Sequence, residues 1–124
     1  MDIREIPKRF AITLSNVFSE WIEKNKKTLE RKAGLLKNMI RENKKFVKKC
    51  RNGNVVTPPD VMGFAMWIFQ NVCNFGVIAS LSPNKADIRE IPSYIDEKST
   101  RKLLELCAST MSLQYLPREL FFKK

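Results

Sequence analysis

The chain contains no histidine. That removes the usual general base, the neutral-pH switch and the commonest metal ligand. Cysteine is scarce and scattered. Cys50, Cys73 and Cys107 are odd in number and form no CxxC pair, so neither a zinc site nor a disulfide framework is expected. The reading is three reduced thiols in a cytoplasmic or nuclear protein, an intracellular, reducing setting. Cys50 lies among Lys48, Lys49 and Arg51, which would lower a thiol pKa. A structural cysteine is nevertheless the better reading there. Only four glycines and six prolines are present, which argues against a disordered or fibrous chain.

Other patterns are missing too. No segment alternates cleanly between apolar and polar residues, so no strand is expected, and Val55-Val56 is too short to count. There is no Gly-rich phosphate loop, no paired metal-ligand spacing and no nucleophile elbow. Asp96 and Glu97 are adjacent, so on a helix they diverge by about 100° and make a poor acid/base pair. The expectation is a protein that is not an enzyme and uses no cofactor or metal. The first residues carry no apolar run of signal-peptide length, Asp2 stands where myristoylation needs glycine, and LFFKK matches no prenylation signal.

Acidic residues are nearly missing from one stretch, and there the charge of the chain collects. Positions 24–51 hold twelve Lys or Arg against only Glu30 and Glu42, which accounts for the net +10. The other residues cancel, with eleven basic and eleven acidic side chains. Concentrated charge attracts a polyanion better than the same charge dispersed. The stretch also reads as helix. With Leu29 at zero on a wheel of 100° per residue, Ala33, Leu36, Ile40 and Val47 fall within about 40°. Leu35, Met39 and Phe46 extend the apolar side. Lys24, Lys27, Arg31, Lys37, Arg41, Lys44, Lys45, Lys48 and Lys49 fall between about 60° and 220°. With Arg51, these are the candidate nucleic-acid-binding residues.

As one helix the stretch would reach about 42 Å, more than a turn of duplex. A merely solvated face normally mixes signs, since Glu and Lys four apart support each other. Here Lys44 and Lys48, and Lys45 and Lys49, repel, so stability does not explain the pattern. Lysine outnumbers arginine nine to three, which favours point-charge contact with the phosphate backbone over base readout. Phe46 is the only aromatic in the stretch, thin support for base stacking.

The remaining segments complete an all-α reading of residues 1–124 as one domain: a compact bundle of about four to five helices. It has one long basic amphipathic helix and one uncharged central helix. Phe10, Leu14, Val17, Phe18, Trp21 and Ile22 recur at helical spacing behind Pro7. The pattern to residue 52 allows one helix or two broken near Asn25, stopped by Asn52-Gly53-Asn54. Thr57-Pro58-Pro59-Asp60 opens a helix expected over 58–81. Residues 61–84 carry no charge. Their length alone would permit a membrane span, but Gln70, Asn71 and Asn74 favour a core helix and a water-soluble protein. Phe64, Met66 and Trp67 read as core filling. Residues 85–98 look irregular, Ser99 or Thr100 caps a helix over 100–115, and Pro117 starts a last turn. Asp2-Ile3-Arg4-Glu5-Ile6-Pro7 recurs as residues 87–92, as two docking motifs, two pre-helix turns of like geometry, or coincidence.

The function expected from this is sequence-independent binding of nucleic acid, RNA slightly favoured over DNA because no helix-turn-helix pattern with base-reading side chains is evident. A viral or phage nucleoprotein or matrix-type accessory protein would suit the size and charge. The rivals are a peripheral protein on an anionic membrane surface and an adaptor for an acidic protein partner. A second copy of the chain, as a homo-oligomer, is a further candidate partner.

Overall fold

The computed structural model describes residues 2–122. The described residues form five α-helices and one two-stranded sheet: α1 (Ile6–Lys24), α2 (Lys26–Glu30), α3 (Leu35–Arg51), α4 (Pro58–Cys73), β1 (Ile78–Ser82), β2 (Lys85–Glu90) and α5 (Glu97–Thr110). It is a helical bundle, as its periodicity predicts, with a hairpin that the sequence did not announce.

Helix α1 runs through the middle. Its apolar positions Ala11, Leu14, Phe18 and Trp21 are fully buried and it packs on α3, α4 and α5. Trp21 makes a large part of the core, since an aromatic side chain buries 150–250 Å² in general. Its indole N–H would be costly to bury unpaired. It donates to Thr100 Oγ1 at 2.8 Å, and that hydroxyl in turn donates to the Asp96 carbonyl at 2.6 Å. Asp96, rather than Ser99 or Thr100, is therefore the cap of α5: its carboxylate accepts from Ser99 N–H at 2.9 Å. The helix starts earlier than the spacing predicts and ends at Thr110, with Met111–Tyr115 tightening into a 3-10 turn.

The start of α4 follows its local code. Thr57 and Asp60 form a reciprocal capping box behind two prolines, which satisfies helix-end N–H groups otherwise orphaned. Its end does not follow the expectation. The helix stops at Cys73 rather than near Leu81, because the chain turns at Gly76 with φ +96°. A Cβ there would lie 2.8 Å from the Tyr94 hydroxyl oxygen and 3.0 Å from Pro92 Cγ. That hydroxyl donates to the Phe75 carbonyl at 2.8 Å and clasps the corner.

Residues 78–90, expected as helix end and irregular chain, form the antiparallel pair β1–β2. Ala79, Leu81, Ala86 and Ile88 face inward and are half-buried, while Ser80, Ser82, Lys85 and Asp87 face out. Pro83-Asn84 makes the turn, with Asn84 left-handed at φ 64°; proline followed by a positive-φ residue is the type II pattern. Asn84 N–H donates to the Ala108 carbonyl at 2.9 Å, which ties the hairpin tip to α5.

The repeated hexapeptide takes two conformations. Its first copy is a 3-10 turn, Ile3–Glu5, leading into α1, and its second is the end of strand β2, to Glu90, followed by Ile91-Pro92 outside the strand. The idea of two like pre-helix turns is thus overturned. What survives in both is the Asp–Arg pair two residues apart: Asp2 with Arg4 at 3.0 Å and Asp87 with Arg89 at 3.8 Å.

Candidate nucleic-acid interface

The basic stretch is helical, but it is not one rod. Asn25 ends α1; α2 lasts five residues; residues 31–34 then turn the chain, with Gly34 at φ +77°. The chain reverses, and α3 packs alongside α1. A single 42 Å rail therefore does not exist. The longest straight run is α3, about 25 Å for seventeen residues at 1.5 Å each.

A polar clasp fixes how α3 lies. Asn43 is buried. It accepts from the Ser15 hydroxyl at 2.7 Å, and its amide donates to Ser19 Oγ at 2.9 Å and to the Ser15 carbonyl at 3.3 Å. The buried seam of α3 is Met39, Asn43 and Cys50. Leu36, Ile40 and Val47, expected at the centre of the apolar stripe, are half-buried flanks, and Ala33 is exposed in the turn. The difference is a rotation of the helix by about 60°, set by which residues meet Ser15 and Ser19.

This rotation has a consequence for charge. With the seam at its centre, Lys37, Arg41, Lys44, Lys45, Lys48, Lys49 and Arg51 occupy an arc of about 160° on the far side of the helix. All seven are exposed. Glu42, the one acid of α3, lies outside that arc. The other predicted cations are placed elsewhere: Lys24 ends α1, Lys27 is in α2 and Arg31 is in the turn, all three exposed where the chain reverses between α1 and α3. The structure thus brings seven of the ten together on one helix face and sets three apart. Of the ten, only Arg41 has an acidic partner among the described residues, Glu42 at 4.0 Å; its guanidinium also donates to Asn38 Oδ1 at 2.7 Å. Lys32, which lies in the turn, is tied back to the body. Its ammonium donates to the Asn74 carbonyl at 3.2 Å and stands 4.9 Å from the centre of the Phe75 ring.

Clefts flank α3 on both sides. On the α1 side, Ser15, Ser19, Asn43, Lys44, Val47 and Lys48 help line a groove. On the α4 side, Phe46 of α3 stacks on Phe64 of α4, ring centres 3.9 Å apart and planes within 18°. Phe64 in turn lies nearly parallel to Trp67, 5.9 Å away. Lys45, Lys49, Glu42 and Asp60 stand around these rings. Sequence reasoning counted Phe46 as a lone aromatic and assigned Phe64 and Trp67 to the core. Phe64 is indeed buried, but Trp67 is only half-buried and edges the cleft. The signal was present in part: Phe64 and Trp67 are three apart on one helix face, yet nothing local says that this face meets Phe46.

Burial disfavours the thiolate at all three cysteines. Cys50 is 2% exposed, and burial, helped by the charge of Asp60, pushes its pKa up despite Lys49 nearby. Burial also raises Cys73, and it pushes Cys107 up to about 12, with Cys73 adding to the effect. All three are free thiols.

Among the described residues, no helix is long and apolar enough to cross a membrane. Comparison with family models, with curated proteins and with solved structures finds no match to this chain.

Proposed function

We propose that this protein is a non-enzymatic nucleic-acid-binding protein, acting in a reducing intracellular compartment, whose α3 face holds the phosphate backbone independently of sequence, RNA slightly favoured over DNA. The observation that carries the reading is the unmixed arc. Seven cations and Asn38, with no acid, fill the side of α3 opposite its buried seam. Like charges three and four residues apart on a helix destabilise it, so the pattern is a cost to the fold that an anionic partner offsets. Lysine, five of the seven, contacts phosphate as a point charge and discriminates little between bases. Because α3 is shorter than the whole stretch, about four or five phosphates fit along it, which gives a log–log salt slope of roughly −3 to −4.

The test compares purified protein binding to labelled RNA, duplex DNA and anionic liposomes across salt. Reversing Lys44, Lys45, Lys48 and Lys49 to Glu should abolish nucleic-acid binding, leave the helical circular dichroism unchanged and flatten the slope. Reversing Lys85, Arg89, Lys98 and Lys102 changes net charge equally and should weaken binding far less. Equal losses in both variants, or binding to liposomes alone, would refute the reading.

A further inference from the structure

Phosphate contact alone leaves the α4 side of α3 unexplained. There the two helices meet through aromatic rings, and between them opens a cleft lined by Asn38, Lys45, Phe46, Lys49, Phe64 and Trp67. Here Phe46 and Trp67 stay half-buried at the mouth, and the three rings share nearly one orientation, with successive planes inclined by 18° and 14°. A flat π-system sliding in beside them would find parallel faces already set, at no cost in reorientation. We propose that this cleft is a stacking pocket for an unpaired nucleobase, so that the preferred ligand is single-stranded nucleic acid rather than duplex. The inference rests on the phosphate-binding role of α3 proposed above and adds to it where a base goes.

Charge fixes the class of ligand. Lys45 and Lys49 are one helical turn apart at the rim. They also belong to the cationic arc, so a strand whose phosphates follow α3 passes the cleft mouth. A neutral aromatic ligand would gain nothing from them, and a duplex cannot offer a base face without unpairing. The acids at the site supply acceptors. Asp60 Oδ2 is used in the capping box, accepting from Thr57 N–H at 3.1 Å and from the Thr57 hydroxyl at 2.8 Å. Glu42 lies one turn before Phe46. Carboxylates accept only, so they suit the amino edge of a base and repel a phosphate. They therefore set direction: base inward between the helices, phosphate outward on the lysines. This division of labour, a basic track beside stacking rings, is how sequence-tolerant single-strand binders work in general.

Intrinsic fluorescence gives the test, because one tryptophan lies at the cleft and the other is sealed in the core. Trp67 is half-buried at the mouth and Trp21 fully buried. A single-stranded oligonucleotide should quench part of the emission of the wild-type protein, whereas inorganic polyphosphate, which binds the same lysines without a base, should not. The W67L variant should lose the quenching while Trp21 still reports a folded core. By anisotropy, W67L and F46L should each bind labelled single strands about 5- to 150-fold more weakly, the range a lost base-stacking contact produces. Their duplex affinity should change less than twofold. F46L guards against a W67L protein that fails to fold. Single-strand binding without quenching, or both variants losing single-strand and duplex affinity alike, would overturn the stacking pocket and leave the phosphate track standing. No binding of any nucleic acid would overturn both. Matched arms of RNA and DNA with the same base order show which sugar the site accepts.

Discussion

Raising ionic strength should stabilise this protein, and the size of the effect can be worked from α3. Its cations pair Lys37 with Arg41, Arg41 with Lys45, Lys44 with Lys48 and Lys45 with Lys49 at four-residue spacing. Arg41 with Lys44, Lys45 with Lys48 and Lys48 with Arg51 are three apart. Each such pair costs about 0.2–0.5 kcal/mol, so the seven together destabilise the helix by roughly 1.5–3 kcal/mol. Among the described residues five surface ion pairs act in the opposite sense, but their side chains are 39% to 76% exposed, and pairs of that kind contribute little. Going from 10 mM to 0.5 M NaCl shortens the screening length from about 30 Å to about 4 Å and removes most of the repulsion. At about 3–5 °C per kcal/mol for a domain of this size, Tm should rise by roughly 4–15 °C. Chloride is the right salt, since sulfate strengthens apolar burial by itself.

Thermal melts followed by circular dichroism measure this directly. The decisive comparison is a double variant, Lys45→Gln with Lys48→Gln, which breaks five of the seven pairs. It should melt higher than the parent at low salt and respond weakly to NaCl. Arg9→Gln with Lys85→Gln removes the same charge from exposed positions outside α3 and should keep the parent's salt response. A parent Tm that stays flat or falls with NaCl, or two double variants that respond alike, would show that the arc carries no stored repulsion.

Asn43→Ala should cost about 2–3 kcal/mol in chemical denaturation, because it strands the buried Ser15 hydroxyl; adding Ser15→Ala should recover part of that loss. Gly76→Ala should destabilise by about 1–3 kcal/mol, since alanine meets both the positive φ and the Tyr94 hydroxyl there; Tm measures it, and no change would deny the corner its role. Alkaline titration should reveal Cys107. Its folded pKa is raised to about 12, so below the ordinary thiol value its contribution is fully present, and as pH climbs from about 9 toward 12 the unfolded state gains by ionising. Stability should fall across that window, and Cys107→Ala should flatten the fall. Asp96→Ala should lose about 1 kcal/mol as α5 loses its cap.

Which parts of this were readable in the sequence follows the range of the interactions involved. The capping box at Thr57 and Asp60 and the stop at Gly53 are settled within four residues, so their signals stand in the sequence. The cationic arc is legible for the same reason, as it depends only on spacing within α3. The turn at 31–34 is not. Arg31 and Lys32 favour helix, and the break comes from α3 folding back so that Asn43 meets Ser15, twenty-eight residues away. The hairpin escaped because Ala79, Leu81 and Ala86 are weak strand markers, and its tip is held by α5 rather than by its own residues. The aromatic cleft needed α3 and α4 side by side, which no local pattern contains.

The twinned hexapeptide turns the protein into its own reference experiment. Mutational free energies mix an effect on the folded state with an effect on the denatured chain, and the second is hard to isolate. Here the same six residues, joined in the same order, lead once through a 3-10 turn into a helix and once along a strand that ends at Glu90. Replacing Ile3 or Ile88, or Arg4 or Arg89, makes the same chemical change within an identical local sequence. The denatured contributions then largely cancel in the difference between paired variants. What is left measures how the same residue is valued by two folded surroundings: Ile3, 46% exposed, against Ile88, half-buried beneath α5.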